Sequence, residues 1–136
     1  MFFYKRIALT LLLFTLSGCS GAMTFIPRSG GQPIQADYSD GMGNTVVTTR
    51  LPGGETLKGK LIWIPPGGTI STALLTTNQG AGNATGITTG NKGMYIGAIA
   101  GDRGTTMRIE LLCNAFAGGC SGVGQTSDGA LYDIIR

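Results

Sequence analysis

The chain has no histidine, and only 12% of its 136 residues are charged. Without imidazole there is no Ser-His-Asp or Cys-His nucleophilic centre, no His-ligated zinc or haem, and no imidazole base. So low a charge content excludes a solvated disordered chain and a salt-bridged helical bundle. Charge of one sign is also scarce: the formal net charge of +3 is too weak a field to argue for nucleic acid. No segment holds a 3.6-residue apolar stripe for three turns, which removes the amphipathic helix as a building block. No apolar run reaches the roughly 20 residues needed to span a hydrocarbon core. At this length one domain is the default. What the chain has instead is glycine, 24 in all, with three cysteines and few aromatics.

The longest apolar run is Ile7 to Leu16, preceded by Lys5 and Arg6. Ten helical residues reach only about 15 Å, so this is the apolar region of a signal peptide with its basic flank, rather than a stable span. It ends in Leu16-Ser17-Gly18-Cys19, which resembles the lipobox of bacterial lipoproteins at all four positions. The resemblance implies cleavage between Gly18 and Cys19, a thioether-linked diacylglycerol on the Cys19 thiol, and an N-acyl chain such as palmitate on the new terminus. These lipids would be the only cofactor-like groups. Each buried methylene of such chains adds about 0.8 kcal/mol of anchoring. Residue 20 is Ser, not Asp, which in this family implies the outer membrane of a Gram-negative envelope; the expected placement there is the periplasmic face, with a surface-exposed orientation left open.

Removing residues 1–18 leaves 118 residues, with 8 basic against 7 acidic side chains. The apparent basicity is therefore largely that of the leader. With Cys19 assigned to lipid, Cys113 and Cys120 remain as a pair. An oxidising periplasm favours a disulfide between them, worth roughly 2.5 kcal/mol on the loop-entropy model. A redox pair would more often be spaced Cys-x-x-Cys, and two thiolates without His make a poor zinc site.

Residues 20–42 mix Gly, Pro, Ser and Gln and read as a tether, with room for a short strand at Phe25-Ile26 or Ile34. Packing of part of this segment onto the domain stays open. From Asn44 onward the apolar period is two. In Thr56 to Ile64, Leu57, Leu61 and Trp63 share one face while Thr56, Lys58 and Lys60 share the other. In Thr106 to Cys113, Met107, Ile109, Leu111 and Cys113 point inward, and Arg108 and Glu110 outward. Thr45–Arg50, Met94–Ala100 and Leu131–Ile135 are further strands, Ile70–Thr77 is a strand or one short helix, and Thr76–Lys92 reads as loops around a weak strand at Ile87. Turn chemistry at Pro52-Gly53-Gly54, Pro65-Pro66-Gly67-Gly68, Gly101-Asp102-Arg103-Gly104 and Ser127-Asp128-Gly129 separates these runs. The expected fold is all-β, a small antiparallel sandwich or barrel with one disulfide. Its expected parts are a signal peptide (1–18), a lipidated N-terminus and tether (19–42) and a β domain (43–136).

Tests for chemistry return little. Gly54 to Leu61 has the glycine and lysine spacing of a phosphate loop, but Leu61 replaces the magnesium-binding hydroxyl and the stretch runs into a strand. The acids Asp37, Asp40, Glu55, Asp102, Glu110, Asp128 and Asp133 are scattered, which suits turns and solvated faces better than a glycosidase pair or a calcium loop. No metal ligand set is expected. Trp63 reads as core. Phe116, at the tip of the disulfide loop, and Tyr132, opposite Leu131 in the last strand, are the partner-contact candidates, with folding back onto the core the alternative for Phe116. The stretch from Met107 through Cys113, Gly119-Cys120 and Gly129-Ala130-Leu131-Tyr132-Asp133 resembles the ending of small uncharacterised proteobacterial lipoproteins. That resemblance implies a shared disulfide hairpin and brings no catalytic residues.

The expected function is a non-enzymatic outer-membrane lipoprotein. It would be held to the membrane by lipid, contact an envelope protein or the cell wall, and bind no nucleic acid. The alternative is a periplasmic ligand-binding or enzyme-inhibitor module using the Gly-rich segment 78–93. A hydrolase is disfavoured by the missing His and the unpaired acids.

Overall fold

Alternation of apolar and polar side chains makes strands here because each strand has one wet face and one dry face. The computed structural model describes residues 20–41, 43–67, 69–77, 80–87, 90–114 and 118–136, and only the backbone of 69–77 and 80–87. Within it lie ten strands: β1 (Ser20–Pro27), β2 (Ile34–Asp40), β3 (Asn44–Arg50), β4 (Thr56–Ile64), β5 (Thr69–Thr77), β6 (Gly80–Ile87), β7 (Lys92–Gly101), β8 (Thr106–Asn114), β9 (Cys120–Thr126) and β10 (Leu131–Ile135). Eight of them close an antiparallel barrel in the order β1-β10-β9-β8-β7-β4-β3-β2, with β1 pairing both β10 and β2. Closure decides between the two expected architectures in favour of the barrel, and it leaves no open edge.

The order is a meander with one interruption. Between β4 and β7 the chain leaves the barrel to form the β5–β6 hairpin, a separate two-stranded sheet. This corrects the reading of Thr76–Lys92 as loops: residues 80–87 pair along β5. Gly, Ala and Asn carry almost no strand propensity, so local pattern could not signal the pairing. The hairpin lies against β4 and β7. There Ile64 and Ile96, each 1% exposed, belong to a cluster with Ile62, Met94 and Ala98 that is separate from the barrel core.

The interior is filled by Met23, Phe25, Leu57, Leu61, Ile99, Met107, Ile109, Leu111 and Ile134, all fully buried. An eight-stranded barrel is just wide enough for its own side chains to fill. The outer wall carries Asp37, Lys58, Lys60, Arg108, Glu110 and Asp133 exposed. That polarity is the reverse of a lipid-facing barrel wall, where apolar side chains point out. At Gly122 an added Cβ would lie 1.8 Å from the Glu110 carbonyl oxygen. Beside Gly122 the β8 backbone comes too close to leave room for a side chain, and only glycine permits it.

The segment read as a tether is barrel wall. β1 and β2 span most of residues 20–40, so the barrel includes this segment rather than starting near residue 43. Met23, Phe25 and Ala36 are its buried positions. The small and polar residues between them, and the Gly- and Pro-containing turn 28–33, diluted the period that would have revealed two strands.

Candidate functional site

The topology sorts the side chains into two ends. One mouth holds the start of β1, the end of β2, the start of β3, the ends of β4 and β8, the starts of β7 and β9, and Arg136. The other holds the turns 28–33, 51–55, 102–105 and 127–130.

At the first mouth, inward positions of neighbouring strands build a stack. The Trp63 ring lies over Gly93, where a Cβ would meet it at 2.1 Å. Tyr95, paired with Trp63 across β4–β7, packs on it with ring centroids 4.7 Å apart. The Arg136 guanidinium sits 5.2 Å from the Tyr95 ring and 3.9 Å from that of Tyr38. Tyr38 in turn covers Gly21. Arg136 Nη2 donates to Asp40 Oδ2 at 2.6 Å, and Thr45 Oγ1 donates to Asp40 Oδ1 at 2.5 Å. The Arg136 side chain is only 14% exposed, and its Nη1 is buried with no partner among the described residues. Burial pulls the Arg136 pKa down, but Tyr38, Tyr95 and the charge of Asp40 outweigh it and raise the value.

The backbone fixes Arg136 as firmly as its side chain does. Its N–H donates to the Cys120 carbonyl at 2.9 Å, and the Cys120 N–H returns the bond at 3.1 Å. Cys120 is joined to Cys113 across β8–β9, with Cα atoms 4.1 Å apart. The expected disulfide is therefore present, and it braces the strand that holds the arginine.

At the opposite mouth the buried Glu55 carboxylate accepts the Arg103 N–H at 2.9 Å and the Thr105 N–H at 3.1 Å. It lies over Gly101, where no Cβ would fit. Hydrogen bonding from Thr105 is the main reason its pKa falls below the ordinary value. Burial opposes that shift, and the Arg103 N–H and charge add to it. The Thr126 hydroxyl donates to Asp128 and lowers that carboxyl in the same way. Both acids tie turns together. Asp40 stands level with Leu61 through Thr45, whereas Glu55 precedes β4. Six residues of strand, about 20 Å at ~3.3 Å each, separate these two inward acids, far beyond the ~5–10 Å of a glycosidase pair.

Of the residues singled out in the sequence, Cys19 and Phe116 lie outside the described residues. Trp63 faces inward as expected, but at the mouth rather than the centre. Tyr132 is corrected: it is 8% exposed and points into the core beside Phe25, centroids 6.4 Å apart. Being opposite Leu131 placed it inside, because Leu131 is on the outer phase of β10. Of the Gly-rich segment 78–93, residues 78–79 and 88–89 are outside the described residues, 80–87 is β6, and Gly93 seats Trp63. Sequence reasoning missed Tyr38, Asp40, Tyr95 and Arg136. Arg136 stands two residues from Ile134 and four from Tyr132, in phase with both, and that was the available signal. No family model, curated protein or solved structure matches this chain.

Proposed function

We propose that the protein is a non-enzymatic lipoprotein of the outer membrane, an envelope module that works through its outer surface. The observation that carries this reading is the filled barrel. Its interior is occupied by its own apolar side chains, and Asp40, Arg136 and Glu55, the inward charged groups described at its mouths, are engaged in holding strands and turns. Contact with a partner then falls to the outer wall and the turns. A lipid on Cys19 would raise the local concentration of such a module at the membrane, so that even weak contacts are populated.

The acylation test is direct. Cells expressing the wild-type chain should incorporate labelled palmitate into it and fractionate it with membranes. Cys19→Ser should lose both and accumulate as unprocessed precursor. Unchanged labelling and fractionation in Cys19→Ser would refute the lipobox assignment. For the interaction, the mature domain should retain a reproducible partner, protein or cell wall, from envelope extract.

The ligand-binding or inhibitor reading draws support from one observation. The β5–β6 hairpin is outside the barrel sheet and is not needed to close it. Replacing residues 68–89 with a short turn should abolish partner capture if the hairpin is the contact, and leave it intact if the barrel turns are.

A further inference from the structure

The place where β1 starts carries a consequence for orientation. Ser20 already pairs with Ser39 on β2. No residue therefore stands between the wall and Cys19, whose Cα is about 3.8 Å from that of Ser20. A coil over residues 20–42 would have let the domain roam roughly 25 Å from its anchor. Without it, the mouth that holds Ser20, from which the β5–β6 hairpin also leaves, is the end held next to the membrane surface.

That mouth suits a lipid surface. Its partly buried Asp40–Arg136 pair presents no net charge. On the adjoining outer wall, Leu112, Ser121, Ile135 and Thr24 stand in one cross-strand row. The row is uncharged, and Leu112 and Ile135 are 40% and 54% exposed. Lys92, exposed at the same end, complements anionic headgroups. The next row away from this mouth, Glu110, Val123, Asp133 and Ile26, already carries charge. At the far end Arg50, Asp102, Arg103 and Asp128 are all exposed.

We infer that the barrel sits directly on the bilayer by the Arg136 mouth, with Leu112 and Ile135 at headgroup level, and presents the opposite turns to the aqueous side. The inference rests on the reading of Cys19 as the lipid anchor. It adds a fixed orientation: partners meet the turns 28–33, 51–55, 102–105 and 127–130.

Trp63 is the single tryptophan and lies at the seated mouth, so it reports the geometry without a label. The chain from Cys19 onward retains the whole barrel wall. With Cys113–Cys120 oxidised, it can be coupled through Cys19 to maleimide lipid in phosphatidylethanolamine–phosphatidylglycerol vesicles. A headgroup spin-labelled lipid is the quencher. Two controls keep the anchor but change the geometry. One inserts about twenty Gly/Ser residues after Cys19, a mean span of roughly 25 Å. The other anchors the far end through Gly53→Cys in a Cys19→Ser background, with Asp102→Cys as a second far-end anchor should the first fail to fold. Quenching of Trp63 should be severalfold stronger in the direct Cys19 anchor than in either control. Equal quenching in all of them, or stronger quenching from the far-end anchor, overturns the seating. Cellular acylation does not enter this measurement, so a failed palmitate test removes the lipoprotein reading without being confused with a failed orientation.

Discussion

Trp63 and Gly93 are diagonal neighbours across the β4–β7 ladder, and the ring fills the space that a side chain at 93 would need. Gly93→Ala should therefore overpack the mouth and cost about 1–3 kcal/mol, read by urea denaturation followed by circular dichroism. Trp63→Leu in the same chain should recover part of that loss, because the two positions share one space. Glu55 acts through charge and hydrogen bonding instead. Its folded-state pKa lies below the ordinary carboxylate value, so between the two the unfolded chain binds more protons. Its contribution is fully present above the ordinary value and is lost as pH falls through the folded one. The wild-type Tm should therefore drop in acid, and Glu55→Gln should show a lower Tm near neutral pH with a flatter acid limb. Asp128, lowered in the same direction, keeps some slope in that variant. An unchanged acid limb in Glu55→Gln would count against this role. Both acids were legible as turn residues. That Glu55 is buried was not, because its partners come from a turn some 50 residues later.

Among the elements, the β8–β9 hairpin was the most legible. Strict alternation placed Met107, Ile109, Leu111 and Cys113 on one face, and all four are buried. The disulfide closes this hairpin next to Arg136. Reduction, or Cys113→Ser with Cys120→Ser, should lower stability by roughly 2.5 kcal/mol, measured by urea denaturation with and without reductant. Arg136 should become more mobile in the reduced protein, because Cys120 supplies both of its backbone bonds. The β5–β6 hairpin is the opposite case. Its second strand reads Gly-Ala-Gly-Asn-Ala-Thr-Gly-Ile, a composition that favours turns by itself. It becomes a strand only through pairing with β5 and support from β4 and β7.

For the whole molecule, closure is the property on which everything else depends. β1 supplies two of the eight seams, to β10 and to β2. Deleting residues 20–27 should open the barrel, expose Met23's and Phe25's neighbours to water, and abolish the cooperative thermal transition. A true tether could be removed with no change in Tm, so circular dichroism of this deletion separates the two descriptions sharply. The same seam explains why the candidate mouth was not visible in advance. Tyr38 and Asp40 lie in the segment that reads as tether, Trp63 and Tyr95 are separated from them by intervening strands, and Arg136 is distant from all four in sequence. Barrel closure alone brings them within contact.

The sequence by itself determined the β class, most turns, the inward face of β4 and β8, and the cysteine pair. Each of these follows from local patterning: a period of two, glycine and proline between runs, and two cysteines on one hairpin. It also carries the four residues that resemble a lipobox, a resemblance read from a short contiguous motif without reference to the fold. Tertiary structure alone decided that residues 20–40 are wall, that 80–87 is a strand, that Tyr132 is core and that Arg136 closes a mouth. In each of these the local signal was weak or polar, and the deciding term was a partner strand far away in the chain. Hydrogen-bond pairing and burial are settled by what lies opposite, and no window of contiguous residues contains that information.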